Sequence, residues 1–179
     1  GMLWGTTTAG GASGLGTVFK VNAGTGVLTT VVHFTGTSGA ALGHNPGGAL
    51  VDDGAGSFWG TTYSGGISKL SGTSLGTVFK VNASSGAFTS VVQFTGTIAG
   101  NVGANPRGTL APDGEGYMWG TTTSTSATGS TTTDNGTVFK IHSGTGVLTN
   151  IAIFENSAGP PLGRFPQGDL YHDSEGYVW

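Results

Sequence analysis

The sequence predicts an all-β protein, a β-propeller built from four-stranded blades of about 60 residues. Three observations carry that expectation. "GTVFK" occurs at Gly16, Gly76 and Gly136, each copy 60 residues after the last. Each unit between copies holds four short runs rich in Val, Phe, Trp and Thr and bounded by Gly, Asn, Asp and Ser, the pattern of strands and turns. No stretch carries apolar residues at helical spacing.

The rest of the chain repeats in the same register. "WGTT" at Trp4 returns at Trp59 and Trp119, and Trp179 stands at the same phase. "NPGGAL" at Asn45 matches "NPRGTL" at Asn105 and "FPQGDL" at Phe165. "DGAGSFW" at Asp53 matches "DGEGYMW" at Asp113 and "DSEGYVW" at Asp173. A fixed period of this kind makes each repeat one supersecondary unit. In the middle copy the predicted strands are A ("GALVDD", from Gly48), B ("SFWGTTY", from Ser57), C ("GTVFKVNA", from Gly76) and D ("AFTSVVQF", from Ala87). Asp53-Gly54 between A and B, and Ser85-Gly86 between C and D, suit tight antiparallel turns. Four antiparallel strands per repeat is a propeller blade; a solenoid is the alternative, but its repeats are shorter.

In strand C, Val18 and Phe19 point to opposite faces, and a blade covered on both sides buries both. The three lysines of "GTVFK" read either as a ring of ligand-binding cations or as a repeated structural feature, and propagation of a repeat favours the second.

Composition narrows the function. Glycine numbers 36 of 179 residues with no every-third-residue order, which excludes collagen. Charged residues are 8%, the formal net charge is −3, and the six basic residues are scattered, so no basic stripe for nucleic acid exists. No apolar run reaches the roughly 18 residues of a membrane-spanning helix, and membrane insertion is not expected. Cysteine is absent, which removes disulfides and thiolate metal sites and suits an exported bacterial protein. Gly1-Met2 reads as an expression remnant, which places any export leader outside this sequence.

"WGTT", a glycine-rich stretch, and then "GTVFK" with a hairpin and a Phe-ending strand resemble the GloVer tandem repeat, over essentially the whole chain. The resemblance implies a propeller-like array in a large bacterial surface or secreted protein. It carries over no catalytic residue. The chain departs from the family in its short length and in having no anchor or sorting segment.

The organisation follows from the register. Residues 1–45 make an incomplete blade of strands B to D; 46–105 and 106–165 are complete blades; 166–179 are a spare strand A and the start of B. Three blades do not close a propeller, for which about four are the minimum. Two chains are expected to close a six-bladed ring as a homodimer, the spare strand of each entering the incomplete blade of the other. A piece of a longer array is a compatible reading.

Function is expected on the loops. The A–B and C–D turns are short and uniform, whereas the B–C and D–A connections are long and differ among repeats, and both leave the same edge of an antiparallel blade. Binding usually evolves on such loops. The candidate ligand-binding residues are His44, Tyr63, Arg107, Glu155, Arg164, Asp169 and Tyr171, with Lys69, Asp134 and Phe165 nearby in the pattern. Arg107 and Arg164 suit a carboxylate or sugar acid; Asp169 and Tyr171 would line the central channel.

Catalytic motifs are lacking. No two carboxylates are linked by a motif as glycoside hydrolysis requires, and Asp53, Asp113 and Asp173 belong to turns. "VDDGAG" is too poor in ligands for calcium. His33, His44, His142 and His172 have no metal-ligand spacing; His33 aligns with Gln93, and His142 with Asn22 and Asn82, as ordinary polar substitutions. No nucleophile elbow or phosphate-binding loop occurs, and no cofactor is expected. The expectation is a non-enzymatic module binding carbohydrate or protein. A carbohydrate-active propeller, lyase or glycoside hydrolase, is the rival, and a ligand-free spacer a third possibility. Convergence of Asp169, Tyr171, Arg107 and Glu155 in one pocket would favour the rival.

Overall fold

The computed structural model describes residues 1–67, 74–96, 102–125, 135–154 and 163–179. Every regular element among the described residues is a strand, and the strands form three antiparallel sheets. The first holds β1 (Met2–Thr7), β2 (Thr17–Asn22) and β3 (Leu28–His33) in that order. The second runs β4 (His44–Asp52), β5 (Ser57–Ser64), β6 (Thr77–Asn82) and β7 (Phe88–Gln93). The third contains β8 (Ala104–Pro106), β9 (Ala111–Pro112), β10 (Tyr117–Ser124), β11 (Thr137–His142) and β12 (Leu148–Ile153), with β8 and β9 both pairing β10. Beyond it, Tyr171 and Trp179 exchange backbone hydrogen bonds of 3.0 and 2.8 Å, and His172 pairs with Val178, so a further hairpin begins.

Cross-strand register explains why "WGTT" and "GTVFK" travel together. Trp59 lies opposite Lys80, Gly60 opposite Phe79 and Thr62 opposite Thr77, and the same pairs recur in the first and third sheets. Gly60 has no Cβ because the Phe79 ring occupies that space: a Cβ there would lie 2.6 Å from the ring Cζ and 2.9 Å from Leu50 Cδ2. One turn of pleat further on, the Thr62 and Thr77 hydroxyls are 2.9 Å apart, a buried bond. The glycine of one motif is thus the seat of the phenylalanine of the other.

The glycine that opens "GTVFK" has a different reason. Gly76 has φ of 91°, and a Cβ on it would collide with the Thr62 carbonyl and with Pro106 Cδ at 2.7 Å. Gly16 meets Pro46 and Gly136 meets Pro166 in the same way. Pro46 and Pro106 belong to the inner strand of the next sheet, and Pro166 to the equivalent segment before the last hairpin. Each is further tied by backbone bonds from Asn45 to Leu15, Asn105 to Leu75 and Phe165 to Asn135. The three donors sit at φ of 53°, 58° and 55°, a region a side chain enters at a cost.

These ties correct the expected start of strand A. His44–Gly47 were assigned to the D–A loop, but β4 begins at His44, with His44 opposite Ser64 and Pro46 opposite Thr62. Proline is tolerated because β4 is an edge strand and needs no N–H on its outer side. An irregularity between Gly47 and Val51 lets the strand bend, and in the third sheet the equivalent stretch splits into β8 and β9. There the inner strands crowd together. A Cβ on Gly108 would lie 2.5 Å from the Gly168 carbonyl. Ala49 N–H donates to Thr109 Oγ1 at 2.9 Å, and Thr109 N–H to Asp169 Oδ1 at 2.6 Å, a ladder through three equivalent positions.

Two apolar clusters fill the spaces between sheets. Phe79, Val81, Phe88 and Leu50 of the second sheet pack on Val18, Val32 and Phe34 of the first. Phe139, Ile141, Met118 and Leu110 of the third pack on Trp59, Val78, Val92 and Phe94 of the second. Val78 and Phe79 are both fully buried, on opposite faces, as alternation requires. Sheets stacked face to face with their inner strands in contact make the arrangement propeller-like.

The seat under the phenyl ring gives a graded expectation. Gly60→Ala drives a methyl into a ring with no room to move, and overpacking of this kind costs about 1–3 kcal/mol. Gly5→Ala faces the same contact at 2.7 Å, but Phe19 is only half-buried and can yield. Denaturant unfolding should therefore show a much larger loss for Gly60→Ala; equal losses would contradict the assignment.

Candidate functional site

The described starts of two variable connections meet on one side of the array. Gly66, at the start of the β5–β6 connection, donates to the Gly36 carbonyl at the start of the β3–β4 connection. Side chains of the fourth strand hold the second-to-third-strand connections: Ala12 N–H donates to His33 Nδ1 at 3.1 Å, and Ile67 N–H to Gln93 Oε1 at 2.7 Å. His33 and Gln93 are thus equivalent acceptors. On the opposite side, His142 Nδ1 accepts from Gly144 and Thr145 as Asn82 Oδ1 accepts from Ser84 and Ser85. Both histidines are the polar substitutions their alignment predicts.

On the variable side, where the inner strands begin, lies an open concavity of about 540 Å³ lined by Thr8, Asn45, Pro46, Gly47, Tyr63, Arg107 and Gln167. Gly47, Arg107 and Gln167 are equivalent positions in successive repeats, each just after the conserved-in-register proline. Thr8 and Tyr63 are likewise equivalent, at the ends of β1 and within β5. Asn45 Nδ2 donates to the Thr8 carbonyl at 3.0 Å and Asn105 Nδ2 to that of Tyr63 at 2.9 Å, which fixes the walls. The Arg107 guanidinium lies over the Tyr63 ring, 4.5 Å from its centroid. Stacking orients the guanidinium while leaving its N–H edge for a ligand. Among the described residues no carboxylate lines this concavity, so its only formal charge is positive.

The predicted site residues separate. Tyr63 and Arg107 come together as described. His44 is half-buried at the start of β4 and is not in the lining. Asp169 is engaged with Thr109 N–H and lines a different concavity, beside Leu170 and Trp179. Tyr171 is exposed and its backbone pairs with Trp179. The Arg164 guanidinium lies 4.9 Å from the Phe165 ring centroid, on an exposed stretch. Glu155, Lys69 and Asp134 lie outside the described residues. Thr8, Asn45 and Gln167 were missed. The signal that could have found Gln167 is the position after the repeated proline, which changes from Gly47 to Arg107 to Gln167 while its neighbours stay constant.

A second set of polar side chains is structural. Asp53 Oδ1 accepts from Ala55 and Ser57 N–H, closing the turn, and Oδ2 accepts from Trp59 Nε1 at 3.0 Å. Asp113 with Trp119 and Asp173 with Trp179 repeat this. On each central indole sits the opposed lysine: Lys80 Nζ is 5.4 Å from the Trp59 ring and Lys140 Nζ 5.3 Å from Trp119, as Lys20 is from Trp4 at 5.4 Å. The lysines therefore serve the repeat as cation–π partners. Burial by itself would raise the Asp53 pKa. The bonds from Ser57, Trp59 and Ala55, with the Lys80 charge, outweigh it and hold the carboxyl below the ordinary 3.8. Burial likewise opposes, and the bonds from Trp119, Tyr117 and Glu115 N–H overcome, the same effect at Asp113. Among the described residues no group of His, Cys, Asp and Glu is placed to hold a metal ion.

A family profile described as the Gloeobacter/Verrucomicrobia repeat matches residues 1–179. The chain belongs to this repeat family. The resemblance carried by "WGTT" and "GTVFK" is thereby shown. No curated protein matches the sequence. Similar solved structures include TolB from Acinetobacter baumannii, 14% identical with a TM-score of 0.48, matched over 90% of this chain and 30% of that one. A candidate 6-phosphogluconolactonase from Bacteroides uniformis is 21% identical with a TM-score of 0.47, over 90% of this chain and 39% of its own. Its counterpart from Bacteroides fragilis is 21% identical with a TM-score of 0.44, over 91% and 38%. This Gloeobacter/Verrucomicrobia repeat chain thus spans between 30% and 39% of the length of these solved chains. No helix among the described residues is long and apolar enough to cross a membrane.

The aspartates set the acid response. Their pKa is lower folded than unfolded, so their contribution is present above about pH 4 and is lost as pH falls through the folded-state value, below 3.8. Melting temperature should drop as pH falls from about 5 through the folded-state values, below 3.8. In a double Asp53→Asn, Asp113→Asn variant that acid-dependent drop should shrink; an unchanged pH profile would contradict the assignment.

Proposed function

We propose that this chain is a non-enzymatic propeller repeat module of a bacterial secreted or cell-surface protein. In this reading its three blades are half of a six-bladed ring completed by a second chain, and it binds a carboxylate-bearing saccharide on the variable-loop side. The observation that carries the binding assignment is the Arg107 guanidinium stacked on Tyr63 in a concavity without carboxylates among its described lining. A guanidinium pairs with a carboxylate through two parallel N–H···O bonds, and the Tyr63 hydroxyl and Gln167 amide suit sugar hydroxyls. The volume of about 540 Å³ is that of a small-ligand cleft. Membership of the Gloeobacter/Verrucomicrobia repeat family supports the repeat-module part of this reading.

A hydrolase or lyase reading needs acids beside the arginine. Asp169 lines a separate concavity and is bonded to backbone, and the described part of the Arg107 site offers no acid–base pair.

Calorimetric titration with an oligogalacturonate, and with its neutral methyl ester of equal length, tests the proposal. The acid form should bind and the ester bind weakly or not at all. Arg107→Ala should weaken the acid form by roughly 10- to 100-fold, the value of one charge-assisted pair. Equal binding of both forms, or an Arg107→Ala variant that binds as well as the parent, would overturn it.

A further inference from the structure

We propose that a second copy of this chain docks head to tail at both ends of the array, inserting its β1–β3 sheet into the slot between β10–β12 and the 166–179 hairpin. This rests on the half-ring reading and names the surfaces that complete it.

The same joint is already present twice within the chain. One sheet offers the phenylalanine of "GTVFK" and the β-branched residue that follows the motif, with an apolar residue from the preceding strand; its neighbour receives them on an indole, the valine of "GTVFK" and the fourth strand. Phe139, Ile141 and Met118 enter such a surface made by Trp59, Val78 and Val92. The equivalent receiving residues of the third sheet are Trp119, Val138 and Ala152, and they line an unfilled slot of about 540 Å³ together with Ile151, Phe154 and Leu170. Ile151 there is 46% exposed. At the other end, Leu3, Phe19 and Val21 are the equivalents of Met118, Phe139 and Ile141. Phe139 and Ile141 are fully buried and Met118 nearly so, whereas Leu3 is 64% exposed and Phe19 and Val21 are half-buried. Each end thus displays the half of the joint that the other lacks.

The inner edge of the slot is in place. Pro166 packs on Gly136 as Pro106 packs on Gly76, so the segment equivalent to the inner strand of a further blade is already docked, without described second to fourth strands beside it. The first sheet is a second-to-fourth-strand unit whose β1 has no described strand on its other edge. Transferring the β4–β5 register puts Pro166 opposite Thr7, Tyr171 opposite Trp4 and His172 opposite Leu3 of the second copy. Within one chain Tyr171 and His172 are paired with Trp179 and Val178. Met2–Trp4 of the second copy therefore replaces Tyr177–Trp179. Trp179 is 73% exposed, and Trp4 already carries Lys20 on its ring; Trp4 Nε1 then takes Trp179's place on Asp173. Two such joints related by a twofold axis close a ring.

Light scattering on a sizing column tests this. The parent chain should elute as a single species of twice 17.7 kDa. Leu3→Asp and Ile151→Asp alter exposed side chains, so circular dichroism should be unchanged, but each places a charge inside an apolar joint and should weaken self-association by about 100-fold or more. Mixing the two variants restores one fully native joint of the two, so the mixture should associate more tightly than either alone. Removing Tyr177–Trp179 should leave the dimer intact or tighter. A monomeric parent would overturn the half-ring reading as well as the docking. A dimer indifferent to both charges, a mixture without rescue, or loss of the dimer on removing Tyr177–Trp179 would overturn the docking alone. Growth into larger assemblies would overturn ring closure.

Discussion

The structure depends on a phenyl ring seated on a bare Cα. Phe79 lies across Gly60 of the neighbouring strand, Phe139 across Gly120, and Phe19 across Gly5. That contact brings the second and third strands of each sheet close enough for the Thr62–Thr77 hydroxyl bond. It also sends the ring toward the preceding sheet, where it becomes the centre of the joint. Phe34, Phe79 and Phe88 then pack edge-on and stacked at 5.2 to 5.9 Å. One small residue thus sets both the pairing within a sheet and the spacing between sheets, which is why it recurs in every copy.

Polarity is placed around that apolar axis with little charge. The Asp–Trp–Lys set supplies a turn cap, an indole acceptor and a cation over the ring in each complete repeat. It uses three of the scarce charged and aromatic residues for local order and leaves that side of the array uniform. On the other side, inner strands approach through Gly48, Gly108 and Gly168; after the proline, Arg107 and Gln167 are exposed, whereas a Cβ on Gly47 would lie 3.2 Å from the Arg107 carbonyl. Arg107 and Gln167 are accommodated there because both side chains are exposed. The candidate site is built where the repeat is most permissive, beside the point where it is most constrained.

Faces exposed at the two ends have the same origin. A repeat that buries its rings against the next sheet must leave one donor and one receiving surface wherever the described array stops. Leu3 and Ile151 are exposed for that reason alone; Met118 and Val91, at equivalent positions, are covered or partly covered by a neighbour.

The sequence by itself determined the all-β class, the four strands of the unit, both tight turns and the turn-capping role of Asp53, Asp113 and Asp173. Those features depend on alternation and on turn chemistry within a few residues, and the period multiplies the signal. It also singled out Tyr63 and Arg107, since both stand where loops vary. Tertiary structure alone decided that Pro46 and Asn45 belong to an inner strand, that Asp169 accepts from the Thr109 N–H of the neighbouring repeat, and that each turn aspartate also holds an indole. It alone showed that the lysines lie on tryptophans. In each case the partner lies across a sheet or in the next repeat, at a distance along the chain that no local pattern encodes. A single sequence states which residues recur; only the folded chain states which recurring residues touch.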